Sequence, residues 1–133
     1  MNKEELKEYR FLGKEIDLLE EEIKQIRASI LASPNFDGMP KGNNISDLTG
    51  NTAIKIADLE IKLQAVIDKM INTRGQIERS IETLPADERL LMRYRYIEGM
   101  SWEETAVAMH YSWQHTHRIH SRVLQKMRVY EST

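Results

Sequence analysis

The sequence predicts an all-α protein, with two long helices folded into an antiparallel, coiled-coil-like hairpin and three short helices after them. Three observations predict it. Apolar residues recur in alternating steps of three and four from Tyr9 to Ile30, and a similar repeat resumes from Ile56 to Leu84. The remaining stretch, from residue 84 on, holds three short amphipathic runs, each opened by a residue that favours the start of a helix.

Asn2 caps the first helix, with Glu5 three residues on to close a capping box. The seam then runs through Tyr9, Leu12, Ile16, Leu19, Ile23, Ile26 and Ile30, a heptad pattern that turns one apolar edge toward a partner helix. Gly13 lies off that seam and costs roughly 1 kcal/mol relative to Ala. Glu20, Glu21 and Glu22 form a solvated face, with no histidine near enough to make them a metal site. The helix is expected to stop near Ala32, because Ser33 precedes Pro34 and is biased away from helical backbone.

Residues 33–51 contain two Pro, three Gly and four Asn, turn chemistry that predicts a loop. Neither their glycine spacing nor their other residues fit a phosphate-binding loop, which needs a Lys followed by Ser or Thr. The second helix is expected to start between Ser46 and Thr52 and to end near Leu84. Its seam is Ile56, Leu59, Leu63, Val66, Met70, Ile77 and Leu84, with Thr73 and Ser80 as weak steps. Gly75 marks a soft point where the helix can bend. A pair of helices buries too little surface alone, so a second copy or the C-terminal helices should cover the remaining stripe.

The stretch from residue 84 is read as follows. Pro85 suits the first turn of a helix, Asp87 and Glu88 complement its N-terminal dipole, and Leu91, Tyr94 and Ile97 share one face. Gly99 is placed to end it in a left-handed cap. Ser101 caps the next helix, with Glu104 closing the box and Trp102, Ala106 and Met109 as its buried stripe. His110 and Tyr111 make the turn. Ser112 then caps a helix over residues 113–127, whose inner side is Thr116, Ile119 or His120, Val123, Leu124 and Met127.

Two capped helices joined by a tight turn, the second bearing exposed cations, form a helix-turn-helix. From Ser112 to Arg128 there are four cations (Arg118, Arg122, Lys126 and Arg128) and no acid, which suits a phosphate backbone. The segment resembles region 4 of bacterial sigma factors. The shared pattern is Leu84-Pro85, Glu88-Arg89, Arg95-Tyr96, Gly99-Met100-Ser101-Trp102-Glu103-Glu104, Ala106, Met109, Ser112, Arg122, Leu124 and Lys126. The chain departs from that pattern with His110 at the turn glycine, Thr105 and Thr116 at aliphatic positions, and His120 at a leucine. The run SPNFDGMPKG, followed by SDLTGN and a heptad helix, resembles phage regulators of the ArpU type. In that family such a segment precedes a sigma-like C-terminal part, so the resemblance implies a phage or prophage transcriptional regulator.

The division expected is residues 1–83 as hairpin, for dimerisation or partner contact, and residues 84–133 as DNA-binding module. The net charge of −2 excludes a general nucleic-acid coat. With no cysteine, disulfide scaffolds, thiolate metal sites and cysteine nucleophiles are excluded. No apolar run reaches membrane-spanning length and the N-terminus is charged, so the expectation is a cytoplasmic protein of a bacterial host. Trp113, Gln114, His117, Arg118 and Ser121 are the candidates for base contact, since Arg pairs with guanine and Gln with adenine. Ser112, Arg122, Lys126 and Arg128 are the candidates for phosphate contact.

The four histidines do not make a metal site, because His115 lies on another face from His117 and His120 and no carboxylate or Cys completes a set. No catalytic arrangement and no cofactor motif stands out. The partners expected are double-stranded DNA, further copies of the chain in a homodimer or higher homo-oligomer formed through the hairpin, and RNA polymerase. The alternatives are a sigma-like polymerase-binding factor and a small terminase-type subunit that recognises DNA for packaging.

Overall fold

The computed structural model describes the backbone of residues 2–31 and 42–131 and the side chains of residues 2–31 and 50–128. Every element in these residues is helical: α1 (Lys3–Leu31), α2 (Gly42–Ile81), α3 (Ala86–Met92), α4 (Trp102–Met109) and α5 (Trp113–Glu131). α3 runs on into a π-helical stretch over Arg93–Ile97. The protein is all-α, as its periodicity requires.

α1 begins on the expected cap, the Asn2 side-chain oxygen accepting the N–H of Glu5 at 2.9 Å. Two expectations for α2 are corrected. Residues 33–41 of the anticipated 33–51 loop lie outside the described residues, but residues 42–51 are helical, so α2 starts at Gly42 rather than between Ser46 and Thr52. The physical reason is cooperativity. Once the helix that follows is formed, each added residue brings one hydrogen bond without a new nucleus, and this outweighs the weak helix preference of Asn and Gly. At its other end α2 stops at Ile81, short of Leu84, and it passes through Gly75 without interruption.

The chain divides into two compact units, one of Met1–Gly13 with Lys69–Thr133 and the other of Lys14–Asp68. The boundary expected between residues 83 and 84 therefore falls inside the first unit. There the start of α1 and the end of α2 lie antiparallel, with Lys69 Nζ 2.8 Å from the Glu8 carboxylate. Gly13 proves to face α2: a Cβ in its place would come within 3.3 Å of the Met70 methyl carbon. The glycine makes room for that side chain.

One hydrophobic core serves all of the first unit. Leu6 and Tyr9 of α1, Ile77 and Ile81 of α2, and Leu91 and Met92 of α3 pack with Tyr96, Met109, Ile119, Val123 and Met127. The C-terminal helices thus cover the apolar stripe at this end of the long helices, one of the two outcomes the sequence left open. Fully burying a side chain such as Leu6 or Ile77 is worth about 1.5–3 kcal/mol, so the small module draws substantial stability from both long helices.

In the second unit an ion pair joins Arg27 of α1 to Glu60 of α2. Leu19 and Ile23 are buried, whereas Ile56, Leu59, Leu63 and Val66, the α2 seam, are only half-buried.

The turn after α4 holds the one non-glycine residue with positive φ among the described residues, His110 at φ 60° and ψ 35°. Its N–H donates to the Val107 carbonyl and that of Tyr111 to the Ala106 carbonyl, both at 3.1 Å, the paired bonds of a Schellman motif. A β-carbon in this region is strained, and the His110 side chain is exposed. His110→Gly should therefore raise the unfolding free energy by about 1 kcal/mol. Urea denaturation of the two proteins measures it, and a loss of stability would contradict the strain.

Candidate nucleic-acid interface

A helix that enters a groove must be held firmly from behind and left open in front. The inner face of α5 is buried as the spacing assigned it: Thr116, Ile119, His120, Val123 and Met127. Both helices of the pair start on the expected serines. Ser101 Oγ accepts the N–H of Glu104, and Ser112 Oγ that of His115, each at 3.1 Å. Thr105 and Thr116 fill apolar slots without an unpaired hydroxyl. Each donates to the carbonyl four residues back, Ser101 at 2.7 Å and Ser112 at 2.8 Å.

The main polar tie between α5 and the rest of the module is Glu88 of α3, which is 1% exposed. It accepts Arg122 Nε at 2.7 Å and Lys126 Nζ at 2.9 and 2.7 Å through its two oxygens. Asp87 lies 3.8 Å from Arg122 on the same side. From the sequence, Glu88 has a role at the helix N-terminus and a place in the sigma-like pattern, and neither reveals this pairing. No local signal could have found it, because its partners lie 34 and 38 residues away. Two of the four cations counted on α5 are thus matched by a buried acid.

On the opposite flank of α5 from this clamp runs a row of rings. The Trp113 and His117 rings are 3.9 Å apart, His117 and Trp102 4.1 Å, and Trp102 meets His120 edge-on at 4.7 Å. The Arg95 guanidinium sits 4.8 Å from the Trp102 ring centre, a cation–π contact, and donates to the Met100 carbonyl at 2.8 Å. At the inner end the Tyr96 oxygen and His120 Nε2 are 2.5 Å apart.

Burial pushes the His120 pKa down to about 4, helped by Lys3, His117 and Arg95. Burial likewise pushes the Tyr96 phenol up. With both groups neutral at ordinary pH, the phenol donates to the imidazole lone pair. His120 therefore works as a polar core residue on the inner face.

What remains in front is narrow. Gln114, Arg118 and Ser121 are exposed and lie at i, i+4 and i+7, on one line of the helix surface. Gln125 is exposed and extends the line by another turn. The sequence reading missed it, although the same spacing points to it. Trp113, 52% exposed, borders this line, and His117 is held between two indoles. Of the residues expected on phosphates, Ser112 is occupied as a cap, Arg122 and Lys126 reach Glu88, and Arg128 is exposed. Arg118 makes no ion pair among the described residues. Nor do these residues contain a cluster of three or more His, Asp or Glu that could hold a metal ion.

Residues 80–129 match the family model for Sigma-70, region 4. The match begins in the last turn of α2 and takes in α3, α4 and nearly all of α5. Region 4 is a DNA-binding helix-turn-helix module, and this part of the chain is similar to it in sequence and shares its helix-turn-helix arrangement. No curated protein and no solved structure matches the chain. Among the described residues, no helix of this region 4-like protein is long and apolar enough to cross a membrane.

Two measurements test the geometry. Glu88 has almost no solvent access, while Arg122 and Lys126 are 54% and 41% exposed. Removing both cations strands a buried charge, and Arg122→Ala with Lys126→Ala should cost about 3–5 kcal/mol. Either single change should cost under half of that, because the other cation stays. Chemical denaturation reads the comparison, and additive single losses would argue against a shared carboxylate.

The second test is pH. The unfolded chain binds a proton at His120 near pH 6.5 and the folded one only near pH 4. Stability is thus unaffected by this group above pH 6.5 and falls as pH drops from 6.5 toward 4, by up to roughly 3 kcal/mol. His120→Leu should flatten that fall in denaturant midpoints between pH 6.5 and 4.5, and an unchanged slope would refute the assignment.

Proposed function

We propose that the chain is a sequence-specific, double-stranded-DNA-binding transcriptional regulator of phage or prophage type that places α5 in the major groove. The observation that carries this is the exposed line Gln114–Arg118–Ser121 on the second helix of a region 4-like module, with the opposite face of that helix packed in the core. Arg118 is free to form the bidentate pair with guanine, and Gln114 the corresponding pair with adenine. The Trp113 indole, stacked on His117 at the start of the helix, suits contact with a thymine methyl or a sugar.

Arg128 and the open edges of Arg122 and Lys126 supply phosphate contacts, which set orientation without reading sequence. Because Glu88 already neutralises part of their charge, affinity depends on base readout more than a count of cations implies. The phage assignment is supported by the likeness of residues 33–51 to ArpU-type regulators. Two copies on one duplex would double the contacts and set the spacing of half-sites. The region 4 match also favours a second reading, in which RNA polymerase is the main partner and DNA contact is secondary.

Selection of bound duplexes from a random pool, run with and without polymerase, separates the two readings. A regulator enriches a motif by itself, whereas a polymerase-dependent factor enriches one only in its company. On the selected motif, Arg118→Ala should lose about 1–3 kcal/mol and relax preference at one position, with little change on random duplex. Equal losses on both duplexes would remove Arg118 from base readout.

A further inference from the structure

The second unit keeps an apolar surface that its own two helices do not cover. Ile56, Leu59, Leu63 and Val66 remain half-buried along the α2 seam, and Leu31 is 87% exposed at the end of α1. The two open flanks of the hairpin differ. On one, rotation by 100° per residue places Glu15 and Glu22 of α1 and Lys55 and Lys62 of α2, opposite charges at matching seven-residue intervals. That flank is charged and suits water.

The other flank is a groove lined by Ile23, Leu31 and Leu63, with Glu20, Lys24, Arg27 and Glu60 along its edges. The same rotation brings Ile56 and Ile67 to its α2 side. An apolar floor with charges of both signs at the rim is the make-up of an interface core and its border.

We infer that a second copy of this chain covers the groove flank, the two hairpins forming a four-helix bundle about a two-fold axis parallel to the helices. This gives a surface to the two-copy element of the proposed function. The rim charges select this occupant. Arg27 and Glu60 lie at one height, since they pair within a hairpin. A two-fold parallel to the helices preserves height and sets α1 of one copy beside α2 of the other, running in opposite directions. Lys24 and Arg27 then face Glu60 of the second copy, and the apolar residues of both floors meet between them.

The size is also right. Helices of eighteen residues (Lys14–Leu31 in α1) are about 27 Å long. A pair with axes about 10 Å apart presents a face about 20 Å wide. The footprint is roughly 500 Å² in projection and larger in accessible area, close to the ~800 Å² per partner of a stable complex.

Sedimentation equilibrium on the full chain, with helix content followed by circular dichroism, provides the test. The wild-type chain should be a dimer. Leu31→Glu, at an exposed position that does not threaten the fold, should give a helical monomer. Lys24→Glu, which sets like charges opposite each other across the interface, should weaken the dimer about tenfold or more. Leu18→Glu alters another exposed leucine, on the other side of α1 (71% exposed), and should leave the dimer intact.

A monomeric wild-type chain overturns the inference. So does a dimer indifferent to both groove variants, or one disrupted equally by Leu18→Glu. The duplex selection above is scored separately. A monomer that still enriches a DNA motif sinks only the bundle, and a dimer that enriches none sinks only the DNA reading.

Discussion

A carboxylate with almost no access to water is stable only with its charge matched, and Glu88 is matched by two cations from a single helix. This constraint organises the C-terminal module. Arg122 and Lys126 are four residues apart, so they rise from one face of α5 and converge on the same acid. Because they approach from successive turns, rotation of α5 about its axis would break one pairing or the other. The apolar core sets how close α5 lies to α3, and the clamp sets which way it faces. A hydrophobic contact alone is non-directional and would leave the outward line of Gln114, Arg118 and Ser121 less sharply aimed.

The same arrangement explains how a chain of net negative charge can present a narrow, locally basic helix face. Cations held by Glu88 are partly withdrawn from the general electrostatic attraction that makes binding insensitive to sequence. Arg118 lies outside the clamp, on the line where base edges would be met. On the far side of α5 the ring row of Trp113, His117, Trp102 and His120 stiffens the start of the helix and packs it on α4 through aromatic contacts. Here the imidazoles substitute for aliphatic packing. His120 shows the consequence: burial keeps it neutral, so its nitrogen can take the Tyr96 hydroxyl in a place where a leucine would offer nothing.

The core of the first unit also changes how the long helices are understood. Leu6, Tyr9, Ile77 and Ile81 share one cluster with the three C-terminal helices. The ends of α1 and α2 therefore act as structural members of the unit that holds the helix-turn-helix. A module of about fifty residues buries a modest fraction of its surface, and the four side chains supplied by the long helices enlarge its core. In the second unit no such covering is present among the described residues, and the apolar seam of α2 remains half-buried.

By itself the sequence determined what depends on local spacing. The heptad steps in α1, the serine caps at positions 101 and 112, the glycine and histidine turns at positions 99 and 110, and the inward stripe of α5 all follow from interactions within a few residues. Such interactions are written in order along the chain. Tertiary structure decided what depends on distant residues meeting. It drew Glu88 to Arg122 and Lys126, closed the long helices over the module's core, set Gly13 against Met70, and placed His117 between two indoles. The physical reason is the same in each case: local preferences are set by bonds within a turn or two, whereas burial and charge pairing are settled by neighbours in space, and spacing along a sequence does not say which side chains those will be.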